Sequence, residues 1–352
     1  MKNVKKYLFA ALCAAAVLGL SGCGSEKQKT FEQAGKDLEQ GNYEYALAGY
    51  EASIENGVKP VHSYRGAGIA NMRMGNYEAA VEDFTLALGE DRLGKALRRD
   101  LLSYRATTFL KAGRNEEAMA DCQKLAELEQ MDANAYFLTG KVALAMDSYE
   151  EAMTNFDKAY TEESTYDMAI RIYETYAACD MEADGTRYLE ATLVTEPKSA
   201  EDYYSRGRIY YYMESYANAQ QELITAVNEG STEALLLLGR VYLAQKDTSN
   251  ARATYQQYVA AVGDSAKGYN GLAQCDMAEG SYDAALANIE KGKPSATTEE
   301  LQELLYNEMV AYEKKLDFAT ALAKAQEYQE MFPGDASVEK EIVFLQSRVQ
   351  NQ

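Results

Sequence analysis

Residues 75–87 read Gly75-Asn76-Tyr77-Glu78-Ala79-Ala80-Val81-Glu82-Asp83-Phe84-Thr85-Leu86-Ala87. A turn tripeptide is followed by Ala80, a large Phe84 four residues on and a small Ala87 three further. That order sets small, large and small side chains at i, i+4 and i+7, on one face of a helix. The run returns along the chain. Gly41-Asn42-Tyr43, Asp147-Ser148-Tyr149, Glu214-Ser215-Tyr216 and Gly280-Ser281-Tyr282 are each followed three residues later by alanine, at Ala46, Ala152, Ala219 and Ala285. Weaker copies place Ala118 after Gly113-Arg114-Asn115, Ala251 after Lys246-Asp247-Thr248 and Ala321 after Leu316-Asp317-Phe318. One degenerate copy is read around Tyr188 and Ala191.

Twelve positions before these alanines stand Ala34, Gly68, Ala106, Gly140, Gly207, Gly239 and Ala273, with Ile172 and Met309 in the degenerate copies. Small residues there allow two helices to approach closely. A period of about 34 residues carrying these four slots resembles the tetratricopeptide repeat (TPR) family over about residues 27–336. The resemblance implies an all-α fold, a right-handed superhelical solenoid of about nine helix-turn-helix repeats. Of four prolines, only Pro333 stands where the family usually closes a repeat. Beyond it, Val338, Ile342, Leu345 and Val349 recur with helical spacing and read as a capping helix over 337–352.

The N-terminus carries a separate signal. Lys2, Lys5 and Lys6 precede an apolar run from Tyr7 to Leu20, the pattern of a secretion signal over residues 1–22. The run ends in Leu20-Ser21-Gly22-Cys23, which resembles the bacterial lipobox. That resemblance implies a diacylglyceryl group on Cys23, a lipidated polar tether over 23–29, the repeats over 30–336, and residence on the extracytoplasmic face of the cell membrane. Acidic residues outnumber basic ones 55 to 35, for a net charge of −20. Such a charge argues against nucleic-acid partners and repels anionic membranes, so stable membrane contact requires a covalent anchor.

Ligands of TPR proteins lie in a groove lined by the first helix of each repeat. The resemblance assigns to it the residues three before, and one, four and five after, the small residue. In the second to eighth copies these slots hold Arg65, Arg73, Lys111, Lys141, Arg208 and Arg240 and no Asp or Glu. Phe137, Tyr173, Tyr176, Tyr204, Tyr211 and Tyr212 share the stripe. Tyrosine faces with arginine forks suit a protein or extended peptide partner bearing acidic residues. The alternatives at this level are tyrosines acting as packing filler, and a glycan- or solute-binding surface lipoprotein. The carboxylate-clamp variant of the family is not expected, because Ile69 replaces its asparagine.

Catalytic machinery is not expected either. His62 is the only histidine and opens a helix with no nucleophile elbow nearby, and neither His/Cys metal spacing nor a glycine-rich loop after a strand occurs. No cofactor is expected. Cys122, Cys179 and Cys275 fall in different repeats, which suggests no disulfide framework.

Overall fold

The computed structural model describes residues 25–128 and 131–350. Cys23 and the signal segment, and residues 351–352 of the C-terminal stretch, lie outside them. Every element among the described residues is helical: nineteen α-helices and a 3-10 turn at Lys293–Ser295. None of these helices is long and apolar enough to cross a membrane.

Two compact units divide the chain, Met1–Glu129 and Gln130–Gln352. The first holds α1 (Ser25–Glu39), α2 (Tyr43–Glu55), α3 (Pro60–Arg73), α4 (Tyr77–Leu88), α5 (Lys95–Lys111) and α6 (Asn115–Glu127), which pair as three hairpins. The second continues with α7 (Ala133–Ala145), α8 (Tyr149–Glu162), α9 (Tyr166–Ala177), α10 (Glu182–Leu193), α11 (Ala200–Tyr212) and α12 (Tyr216–Asn228). It ends with α13 (Glu233–Ala244), α14 (Thr248–Val262), α15 (Ala266–Ala278), α16 (Tyr282–Gly292), α17 (Thr298–Lys314), α18 (Phe318–Met331) and α19 (Ala336–Val349). Within each unit every hairpin packs on the next.

The turn chemistry explains the tripeptides. Five residues before each buried alanine the backbone is left-handed: φ is 78° at Gly41 and Gly75, 71° at Gly113 and 73° at Gly280. The following N–H then reaches back to close the first helix, as in Asn76 N to Asn71 O at 2.9 Å and Ser281 N to Asp276 O at 2.8 Å, a Schellman closure. The alanines Ala46, Ala80, Ala118, Ala152, Ala219, Ala251, Ala285 and Ala321 are wholly buried, opposite the small residues of the preceding helix.

The same rule corrects the degenerate copy. Asp180 is left-handed, with φ 56°, which sets the buried slot at Gly185 and the next two at Leu189 and Thr192, not at Tyr188 and Ala191. A Cβ on Gly185 would meet the Tyr173 backbone at 2.8 Å. The small residue has moved to the second helix, so the first can carry a tyrosine at the contact. Of the stretch read as a polar tether, residues 25–29 are helical: α1 begins at Ser25, with Glu26 in its first turn where a negative charge suits the helix dipole. At the other end, α19 buries Val338, Ile342 and Leu345 around Tyr328 of α18.

Candidate functional site

The second unit contains a recess of about 300 Å³ lined by Tyr204, Arg208, Tyr211, Tyr212, Glu233, Leu236, Leu237, Arg240 and Lys267. Its walls are the first helices of three successive hairpins, α11, α13 and α15. On α11, Tyr204, Arg208, Tyr211 and Tyr212 share a face because they stand at i, i+4, i+7 and i+8. Gly207 beneath them holds that helix close to α12, since a Cβ there would lie 2.6 Å from Leu223.

Rings organise the polar groups. The Arg208 guanidinium sits 5.9 Å from the Tyr204 ring centre, and Tyr211 meets Tyr212 edge to face at 6.2 Å. Burial raises the Tyr204 phenol above its ordinary pKa. Tyr212 is pushed up to about 12 by burial and by its hydrogen bond to the Glu174 carboxylate, so it stays a neutral donor at physiological pH.

A second recess of about 330 Å³ shares Leu236, Arg240 and Lys267 with the first and continues along Asn270, Gly271, Gln274, Thr297, Glu299, Glu300 and Glu303. Tyr255 of α14 lines it from below. Its ring threads between Gly239 and Gly271, where a Cβ would meet it at 2.5 and 2.4 Å. Only 2% of this residue is exposed, burial raises its phenol pKa, and its hydroxyl has no hydrogen-bond partner among the described residues. Lys267 lies 3.7 Å from Glu300, and the Asn270 amide donates to Glu303 at 3.2 Å.

The other residues expected in the groove are dispersed. Phe137, Tyr173 and Tyr176 are buried as packing side chains: the Tyr176 ring lies 5.1 Å from Phe156, and Arg171 caps Phe137 at 4.2 Å. The Tyr173 hydroxyl donates to the Tyr212 carbonyl at 3.3 Å. Lys141 stacks over Phe137 at 5.8 Å. In the first unit, Arg73 and Lys111 are exposed, whereas Arg65 is held bidentately by Asp100 at 2.5 and 3.0 Å.

Asp100, Glu233, Lys267 and Glu303 share one slot, six residues before the small residue of their helices. That slot is one helical turn beyond the stripe as drawn from the sequence, on the same face. Extending the stripe by that turn finds all four, and it shows that the groove face is not free of acids. Among the described residues, no three His, Cys, Asp or Glu side chains are grouped to hold a metal ion.

Comparison with known proteins finds tetratricopeptide repeats in part of the chain. The tetratricopeptide repeat model matches residues 104–167 and 204–266. DnaJ homolog subfamily C member 7 of Homo sapiens is 31% identical over 91 residues, 26% of this chain and 18% of that protein. Its homolog in Dictyostelium discoideum is 26% identical over 102 residues, 29% and 19% of the two chains. The chain thus spans less than a fifth of the length of these relatives. Among solved structures, the human IFIT1 dimer with m7Gppp-AAAA aligns with a TM-score of 0.51 at 14% identity, over 94% of this chain and 82% of that one. A tetratricopeptide repeat protein from Parabacteroides merdae aligns with a TM-score of 0.43 at 17% identity, over 72% and 99%. The chain carries tetratricopeptide repeats over residues 104–167 and 204–266, within two all-α units built of stacked helical hairpins.

Proposed function

We propose that this chain is a non-catalytic scaffold that binds a protein partner through the tyrosine- and arginine-lined recess of its second unit, and that a lipid on Cys23 holds it at the outer face of the cell membrane. The observation that carries the binding half is convergence: Tyr204, Arg208, Tyr211, Tyr212 and Arg240, chosen by slot alone, line one recess. Tyrosine and arginine concentrate binding energy because they combine large flat contact area with hydrogen-bonding tips. The lipid half rests on the sequence Leu20-Ser21-Gly22-Cys23 after an apolar run. The likeness to IFIT1 brings no nucleic-acid ligand with it, since 14% identity speaks for the fold alone and a net charge of −20 opposes a phosphate backbone.

The test is crosslinking on intact cells, comparing the native protein with a Tyr204→Ala, Arg208→Ala, Tyr211→Ala, Arg240→Ala variant whose helical circular dichroism is unchanged. A specific protein adduct that the variant loses supports the reading; an adduct that survives places binding elsewhere. Saturable binding to a carbohydrate panel with no protein adduct would favour a glycan binder. In parallel, Cys23→Ser should move the protein from the membrane fraction to the soluble one, and retention on the membrane would exclude the lipid anchor.

A further inference from the structure

The large slot four residues after the buried alanine holds Phe84, Phe156, Leu223 and Ile289 in four other copies, side chains with nothing polar to satisfy, and a tyrosine, Tyr50, in the first. In the seventh copy it holds Tyr255. The two glycines flanking its ring, Gly239 and Gly271, open a passage between α13 and α15, and the ring fills it as far as the wall of the acidic-basic recess. The hydroxyl at its end is buried and unbonded. A buried donor without an acceptor costs stability, and a phenylalanine would have filled the same space without that cost.

Charge is uneven along the recess. Arg240 and Lys267 stand where its two lobes join, Tyr204 and Arg208 lie to one side with a single carboxylate, Glu233, and Glu299, Glu300 and Glu303 lie to the other. Arg240 is exposed, and among the described residues Lys267 reaches one carboxylate, Glu300, at 3.7 Å. We infer that Arg240, Lys267 and the Tyr255 hydroxyl form a carboxylate-binding subsite, and that the ligand is a peptide of split charge, whose acidic group enters this subsite while a lysine or arginine lies against Glu299 and Glu303. This rests on the peptide-binding reading and adds to it a polarity. A carboxylate oxygen accepts the Tyr255 proton that no protein atom accepts, the two cations neutralise it, and the glutamates beyond reject a second acidic residue and receive a basic one. The charge order fixes the direction in which the peptide lies. A uniformly acidic peptide is therefore disfavoured.

The experiment selects peptides from a displayed library of random dodecapeptides on the full chain. Enriched sequences are resynthesised, with free and with amidated C-termini, and their affinities measured by fluorescence anisotropy. Enriched peptides should carry Asp or Glu at one end of the motif and Lys or Arg at the other, in one order. Loss of affinity on amidation assigns the carboxylate to the peptide terminus, and retention assigns it to a side chain; both support the subsite. Tyr255→Phe should weaken binding about tenfold, as the loss of one hydrogen bond to a charged group does, while the melting temperature holds or rises because an unsatisfied hydroxyl has been removed. Glu303→Gln should weaken split-charge peptides and spare acidic ones.

Unchanged affinity in Tyr255→Phe, a fall in its melting temperature, or enriched peptides without charge order would each overturn the subsite. In those cases the scaffold reading survives if Tyr204→Ala with Arg208→Ala still abolishes binding. An empty selection removes the subsite, and the crosslinking experiment then decides the scaffold reading by itself.

Discussion

Three residues after the buried alanine, the second helix of several hairpins offers a polar side chain to the first. Asp121 takes Arg105 at 2.7 Å, Glu222 takes Arg206 at 3.0 Å, and Asn288 donates to Asp276 at 2.7 Å. The ninth copy reverses the charges, with Lys324 3.4 Å from Glu308. In the second copy the pair is Asn71 and Asp83, at 2.9 Å, and among the described residues no cation holds the carboxylate ionised. Burial is the largest cause of its shift, and the neighbouring Glu51 and Glu82 add to it, so Asp83 is raised to about 6. A carboxyl whose folded pKa exceeds its unfolded value of roughly 3.9 contributes stability that is complete below the unfolded pKa and is lost as pH rises through the folded one. The first unit should therefore lose stability between about pH 4 and pH 6 through this group. Asp83→Asn should raise the melting temperature at pH 7.5 and leave it unchanged at pH 4, as measured by circular dichroism. An equal effect at both pH values would show that Asp83 is not the titrating group. Such pairs were invisible to a pattern drawn for apolar slots, because each pair uses different residues.

At the scale of the hairpin, most of the fold was legible because its turns repeat. A left-handed residue five before the alanine favours glycine, and four copies supply it as Gly41, Gly75, Gly113 and Gly280. Asp147, Glu214, Lys246 and Leu316 adopt the same conformation at φ of 55° to 63°, and those copies were recognised by their neighbours instead. The fifth copy was misplaced by one residue for a definite reason. Its close contact was sought as small-on-first, alanine-on-second, whereas Gly185 supplies all the room and Tyr173 takes the rest. A left-handed β-carbon costs roughly 1–2 kcal/mol, partly offset in a glycine variant by the greater freedom of its unfolded chain. Leu316 is 68% exposed, so little packing is lost on removing it. Leu316→Gly should stabilise the protein by about 0.5–1 kcal/mol in urea unfolding, and a destabilisation would mean that the side chain packs in a way its exposure does not reveal.

For the whole molecule, the slots gather residues of one recess but do not separate surface from core. Tyr204, Arg208, Tyr211, Tyr212 and Arg240 line the recess, whereas Phe137 occupies a stripe slot and is buried, and Tyr173 and Tyr176 fall off the stripe once the fifth copy is shifted by one residue. The difference lies in which neighbours fill the adjoining helix, a contact between repeats that a single period does not encode. Arg65 shows the same dependence, since Asp100 of the following hairpin engages it. Glu299, Glu300 and Glu303 escaped notice because they enter from the first two turns of α17, before the stripe begins.

The central claim is that binding is confined to this recess. The most direct test is a photo-crosslinking amino acid placed, in intact cells, at Tyr211 in the recess or at Tyr149, which is 52% exposed on a second helix of the same unit. A specific protein adduct at Tyr211 and none at Tyr149 is the predicted result; adducts at both positions, or at Tyr149 alone, would contradict it.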